Sequence, residues 1–195
     1  MGLYHKLLKL KEDPLKILPY LQCQIRTLLF KLGCILMRKK IKWGKGLRIT
    51  GKLSVKGSGY LYLGNNVTIG MEVTPWTYDE KAVITIADNV YLNGTRFACK
   101  KSIFIDSNCI IGECRIMDTS FHSIDINRHD ADAYVKTESI HISKNVWIAP
   151  DSVILPGISI GENSVVGICS VVTKNIPENS LVAGNPALLV RKLEN

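Results

Sequence analysis

Acidic side chains are almost missing from the first fifty positions of this 195-residue chain. Only Glu12 and Asp13 stand there against twelve Lys and Arg, a net of +10, whereas the other 145 residues carry thirteen basic and fifteen acidic groups, a net of −2. The overall charge of +8 therefore belongs to the N-terminal segment and not to the body. No nucleic-acid-binding motif or aromatic platform accompanies it, so a nucleic-acid partner is not expected. A membrane surface or an anionic substrate suits it better. Cysteines at close-paired metal spacing are also missing: Cys23, Cys34, Cys99, Cys109, Cys114 and Cys169 are scattered. No cleavable signal peptide is visible, which leads to the expectation of reduced thiols in the cytoplasm. A hydrophobic share of 46% excludes disorder.

What the chain does have is a beat of six residues. Ile142, Ile148, Ile154, Ile160, Val166 and Val172 recur without a miss, each followed by Ser143, Ala149, Leu155, Gly161, Gly167 or Thr173. Turn-formers stand three residues after five of the aliphatics (Asn145, Asp151, Gly157, Asn163, Asn175), and Cys169 takes the sixth place. This period is neither helical nor a simple strand alternation. It reads as a short strand with one inward aliphatic, then a corner that tolerates φ > 0, repeated as the sides of a three-sided prism. Cys109 and Cys169 are expected at small, buried repeat positions. Looser units open at Leu63, Ile69, Ile86, Leu92, Ile105 and Ile111, with about five extra residues near 74–81. Arg96 and Arg115 break the small-residue rule of the repeat.

Upstream, residues 3–40 carry a helical pattern through Leu18, Leu21, Ile25, Leu28, Leu29, Leu32, Ile35 and Leu36, with Pro14 and Pro19 as starts or breaks. Arg26 and Lys31 interrupt the apolar run, so a spanning helix is not expected. Packing on the prism or on a neighbouring subunit, and an interfacial membrane contact, both remain open. Downstream, residues 118–137 exceed the repeat and must leave the prism as a loop. Excursions of this length are usually functional, and this one holds His122 and His129, side chains suited to accepting a proton near neutral pH.

The string from Ile160 through Gly167 and its neighbours over residues 60–190 resembles the hexapeptide-repeat acyltransferases, closest in pattern to their galactoside and surface-polysaccharide sugar O-acetyltransferase branch. The resemblance implies an all-β fold, a left-handed parallel β-helix, with 1–45 as a helical segment, 46–186 as the acyltransferase domain and 187–195 as a tail. Asp118-Thr119-Ser120-Phe121-His122-Ser123 is similar to the family's base-bearing loop. It assigns His122 as general base and Asp118 to the substrate side. Asn93, in one outward column with Gly112 and Ala149, matches an acceptor-positioning asparagine, or is simply a turn residue. Trp147 matches a tryptophan lining the acceptor cleft, or packs between subunits. Coenzyme A contacts carry over to Ala149, Gly167, Ile168, Thr173, Lys174 and Arg191, with an oxyanion donor expected from a backbone N–H near Ala149 or Gly167. Pro150, Ile168 and Leu188 depart from the family pattern.

The resemblance thus implies an acetyl-CoA-dependent O-acetyltransferase acting on a sugar hydroxyl of a surface polysaccharide or its precursor. It also implies a homotrimer that uses no metal cofactor; the basic, apolar N-terminal segment adds the expectation of a peripheral contact at the inner membrane face of the cytoplasm. Free galactosides, serine or a xenobiotic are the alternative acceptors. A metalloenzyme of the γ-carbonic-anhydrase kind would need three converging histidines, and His5, His122, His129 and His141 make a poor set. A solenoid without chemistry is the remaining class.

Overall fold

The structure, a computed structural model, describes residues 17–194. Short strands separated by tight turns stack into three sheets that form the faces of a prism. The first face holds Ile41–Trp43, Tyr60–Leu63, Val83–Ile86, Ser102–Ile105, Ile140–Ile142 and Ser159–Ile160. The second runs from Arg48–Ile49 through Thr68–Ile69, Tyr91–Leu92, Ile110–Ile111, Trp147–Ile148 and Val165–Val166 to Ser180–Ala183. The third contains Lys52–Leu53, Lys56–Gly57, Glu72–Thr77, Arg96–Cys99, Arg115–Met117, Val153–Ile154 and Val171–Val172. All pairings within the coil are parallel, and the architecture is a left-handed parallel β-helix.

Each face sends an aliphatic column inward. Leu63, Ile86, Ile105, Ile142 and Ile160 align on the first face, and Ile69, Leu92, Ile111, Ile148 and Val166 on the second. These side chains are buried almost without exception. Each contributes about 1.5–3 kcal/mol relative to leaving it exposed. No coil could bury its own residues, so the column exists only as a stack.

The corner between the first and second faces is an asparagine ladder. Asn66, Asn89, Asn108, Asn145, Asn163 and Asn179 all adopt φ between 53° and 61°. Asparagine tolerates this left-handed region better than other non-glycine residues. Their amides also bond along the stack: Asn66 to Asn89 (3.1 Å), Asn89 to Asn108 (3.2 Å), Asn145 to Asn163 (2.8 Å) and Asn163 to Asn179 (2.9 Å). Cys109 lies in the buried column beside this ladder, where desolvation pushes its thiol up to about 11. Cys169 differs from the expectation. It is an exposed corner residue at φ 57°, taking the place of a turn asparagine rather than a core position.

Arg96 and Arg115 are explained by register. Leu92 to Phe97 and Ile111 to Ile116 are five residues apart, against six for Ile148 to Ile154. Two coils therefore lose one corner residue, and both arginines fall on the outward position occupied above by Val153. The extra residues near 74–81 are absorbed by the long strand Glu72–Thr77 and the turn after it.

The helix Ile17–Leu36 covers the first coil with a narrow side made of Cys23, Thr27, Phe30 and Cys34. The Thr27 hydroxyl accepts from the Ile49 N–H (3.0 Å), the Arg26 guanidinium donates to the Thr50 carbonyl, and Phe30 meets Trp43 edge-on at 6.4 Å. The leucine and isoleucine stripe points the other way, away from this chain's own coil. Leu18, Leu21, Ile25, Leu28, Leu29, Leu32, Ile35 and Leu36 are all exposed. Pro19 falls within this helix, whereas Pro14, His5 and the expected helical stretch before residue 17 lie outside the described residues. At the other end the expected tail is partly a strand. Leu188–Lys192 folds back antiparallel on Ser180–Ala183 and covers the last edge of the second face.

Replacing Asn163 by valine puts a β-branched residue at φ 59° and removes two side-chain hydrogen bonds, and should cost about 2–4 kcal/mol. Asn163→Gly, which keeps the backbone conformation and loses only the bonds, should cost about half as much. Denaturant midpoints of the two variants check the order.

Candidate active site

The coil is interrupted once, at the corner where the third face hands over to the first. The loop leaves after Met117 and is pinched shut at its base. Thr119 and Thr137 form an antiparallel bridge, their hydroxyls 3.1 Å apart, and the Ser120 N–H donates to the Lys136 carbonyl. This neck lets the chain depart and return without disturbing the ladder. Beyond it, Phe121 takes φ 61° and packs edge-on against Tyr78, ring centroids 4.6 Å apart. His122 follows. Its N–H donates to the Ser120 carbonyl (2.7 Å), and the Ser120 hydroxyl donates to the His122 carbonyl (2.9 Å). The backbone is fixed while the imidazole stands exposed. His129 is likewise exposed on the same loop, and His141, on the first face, stacks on Phe104 at 5.0 Å.

Asp118 does not face a substrate. It is fully buried, and its carboxylate accepts from the Lys100 N–H (2.7 Å), the Lys101 N–H (2.8 Å) and the Cys99 thiol (3.3 Å). Burial, with this carboxylate beside it, raises the Cys99 thiol far above its ordinary range. Asp118 is a structural clamp at the root of the loop: it ties the turn of the preceding coil to the point where the chain departs.

The carried-over residues fall on three different parts of the prism. Asn93, Gly112, Ala149 and Gly167 do stack in one column, at the corner between the second and third faces. The Asn93 amide oxygen accepts from the Met71 N–H at 3.0 Å, as a turn asparagine's would. The N–H groups of Ala149 and Gly167 are engaged in the ladder, donating to Val166 (2.9 Å) and Val182 (2.8 Å). Neither of these two is free for an oxyanion, whereas the neighbouring Ile168 N–H has no acceptor among the described residues. What the corner offers is smoothness: a Cβ on Gly167 would stand 3.0 Å from that of Ala183. Ile168 projects from this corner, 62% exposed. Thr173 and Lys174 lie exposed at the third-to-first corner, and Arg191 lies exposed on the terminal antiparallel strand. Trp147 is half-exposed on the second face. One chain therefore does not bring Trp147, Asn93 or the small-residue column to His122. Among the described residues, no three His, Cys, Asp or Glu side chains group as a metal set would.

The sequence reading missed a cavity of about 470 Å³ on the third face, reaching from Met71 and Gly94 to Phe121 on the loop. Trp76, Tyr78, Arg96, Ala98, Arg115 and Met117 line it. The available signal was the pair of arginines that broke the repeat rule at the same point of two successive coils.

Residues 139–174 match the family described as bacterial transferase hexapeptide (six repeats). A Staphylococcus aureus protein named provisionally as an acetyltransferase is 49% identical over 67 residues, which cover 34% of each chain. The galactoside O-acetyltransferase of Lactococcus lactis is 35% identical over 95 residues, covering 48% of this chain and 44% of that one. The chain thus spans about a third to a half of the length of these relatives. AntD, an N-acyltransferase from Bacillus cereus solved with dTDP and 3-hydroxybutyryl-CoA, superposes with a TM-score of 0.69. That alignment covers 84% of this chain and 88% of AntD at 20% identity, a likeness of fold.

Asp118→Ala leaves the Lys100 and Lys101 N–H groups without their acceptor and should destabilise the protein by about 2–4 kcal/mol. Asp118→Asn, which keeps one acceptor oxygen, should lose less. Urea midpoints give the ranking. A substrate-contacting Asp118 would instead leave stability unchanged and alter only the acceptor dependence.

Proposed function

We propose that this protein is an acetyl-CoA-dependent O-acetyltransferase whose acceptor is a sugar hydroxyl of a surface polysaccharide or its precursor, with His122 as the general base. The observation that carries the reading is the neck-closed loop. The coil opens there into a long loop, and the loop holds an imidazole on a backbone fixed at both sides. The repeat match and the partial likeness to a galactoside O-acetyltransferase support the transferred group and the acceptor class. In the reaction the acceptor oxygen attacks the thioester carbonyl while its proton passes to the His122 ring. The tetrahedral intermediate then collapses, the carbon–sulfur bond breaks, and the departing coenzyme A thiolate takes up that proton. Ala149, Gly167 and Ile168 suit the pantetheine arm as a smooth corner with one apolar flank. Thr173, Lys174 and Arg191 suit its phosphates as exposed donors.

The reading includes a homotrimer, because the pieces of the site lie on different faces of one chain. Ile124 and Ile126 on the loop are 87% and 98% exposed, and the second face presents Tyr91, Ile110 and Trp147 outward, with Ile168 exposed at its corner. Two unlike apolar patches on one chain suit a head-to-tail contact that closes as a ring. In such a ring His122 of one protomer meets the small-residue corner of the next.

We also place the protein at the cytoplasmic face of a membrane. The exposed leucine stripe of Ile17–Leu36 is followed directly by Arg38, Lys39, Lys40 and Lys42, an apolar side flanked by positive charge. That combination fits an anionic bilayer surface. No helix among the described residues is long and apolar enough to cross a membrane.

His122→Ala should lower acetyl-CoA-dependent thiol release in the presence of acceptor by about 10²–10⁴-fold and leave coenzyme A affinity unchanged. Wild-type turnover in the variant would remove His122 from the chemistry. For the membrane contact, the double variant Leu28→Ser, Leu32→Ser should keep its melting temperature, since both side chains are exposed, and should lose co-sedimentation with phosphatidylglycerol vesicles. Equal sedimentation of both proteins, or equal binding to neutral vesicles, would rule the surface out.

A further inference from the structure

From the cavity on the third face we infer a binding site for a glycosyl ligand that carries a phosphate or a carboxylate: Arg96 and Arg115 hold the anion while the sugar ring lies on an aromatic wall. Arg96 and Arg115 are direct partners on adjacent parallel strands, so two like charges stand side by side one coil apart. Facing like charges in a sheet are destabilising unless something neutralises them. Among the described residues nothing does: neither guanidinium has a hydrogen-bond acceptor, or a carboxylate within 4.0 Å. The two acidic side chains lining the cavity leave them free. The Glu72 carboxylate is held by Lys52 (3.0 Å) and the Ser54 hydroxyl (2.7 Å), and Glu113 pairs with neither arginine. Two guanidinium groups on neighbouring strands, without a partner among the described residues, make a clamp for the oxygens of a phosphate or carboxylate.

The other end of the cavity is built for a ring. Trp76 stacks on Tyr78 with centroids 4.6 Å apart and planes at 16°, and Phe121 closes the stack edge-on. Trp76, Ala98 and Met117 are in register on three successive coils, so the small Ala98 makes a floor between two bulky walls. This row lies two residues along the strands from the arginine row, on the same face, about 7 Å away. That separation matches a pyranose set against the Trp76–Tyr78–Phe121 wall, where the Lys56 ammonium, 4.9 Å from the indole centroid, adds a third cation, while its charged substituent reaches the guanidinia. Resting on the acyltransferase reading, this orientation turns the ring's uncharged edge toward Phe121 and the residue after it, His122. The acceptor class is then an acidic or phosphate-linked sugar rather than a neutral glycoside.

Calorimetric titration of the full chain with UDP-glucose, UDP, methyl glucuronoside and methyl glucoside tests the site. One of the two charged sugars should bind at least tenfold more tightly than methyl glucoside and, for UDP-glucose, more tightly than UDP. Which of them binds tells a phosphate-linked ligand from a carboxylate one. The double variant Arg96→Gln, Arg115→Gln and the single variant Trp76→Ala should each weaken it at least tenfold, with melting temperature and the coenzyme A-induced thermal shift unchanged. No saturable binding of either charged sugar would overturn the inference, as would UDP binding as well as UDP-glucose or undiminished binding by the arginine variant. Arginine-dependent sugar binding by a protein that releases no thiol from acetyl-CoA upholds the cavity and removes the transferase reading. Thiol release with a neutral acceptor, and no charged-sugar binding, does the reverse.

Discussion

Every coil of this protein is held to the next by the same parallel main-chain ladder, and that ladder permits only certain freedoms. Each strand N–H must meet a carbonyl one coil away, so residues can be added or removed only at corners. The donations of Asn93 to Ile111, Gly112 to Ile148, Ala149 to Val166 and Gly167 to Val182 form one such vertical line. Its consequence for chemistry is twofold. The faces and small-residue corners become smooth and rigid, suited to laying a long ligand along them. Along the strands and the small-residue column, the main-chain donors already hold the stack together.

Reactive groups must therefore come from departures from the repeat, and the departures are of two kinds. One is the loop at 118–137, which leaves through a bridged neck so that the ladder closes beneath it. Asp118 is the device that makes this workable: a buried carboxylate at the root of the loop satisfies two N–H groups of the coil below. The other is the loss of one corner residue in the two coils that carry Arg96 and Arg115. It shifts long cationic side chains onto the outside of the third face, where small or branched residues stand higher in the stack. Both departures open on the same cavity, through Phe121 and through the arginines.

The ends of the coil show a related economy. At the bottom, the helix Ile17–Leu36 uses Thr27 and Arg26 to satisfy main-chain groups of the first coil and presents its apolar stripe outward. At the top, Leu188–Lys192 reverses direction to cover the last parallel edge, with the Lys192 ammonium donating to the Glu178 carbonyl and the Ser180 hydroxyl. An open parallel edge would template association with other chains, and both ends avoid that by different means.

The six-residue period was enough by itself to give the prism, its inward aliphatics, the left-handed corner asparagines and the position of the one large loop with His122. Each of these follows from local geometry: a two-residue strand alternates, and a tight turn needs φ > 0, wherever the sequence places them. What only the tertiary structure decided is sideways adjacency. Asp118 looked like a substrate ligand until its carboxylate was found beneath the turn of a neighbouring coil, and Cys169 looked like a core residue until it took an asparagine's corner. The leucine stripe left packing on the prism, on a neighbouring subunit or on a membrane open; on this chain's own prism Cys23, Thr27, Phe30 and Cys34 pack instead, because the first coil needs a hydrogen-bond partner as well as apolar cover. Arg96 and Arg115 became neighbours only through the number of residues between them, which sets how coils align. Periodicity encodes which way a side chain points. It does not encode which side chain of the next coil it will touch, since that depends on every insertion and deletion in the turn between.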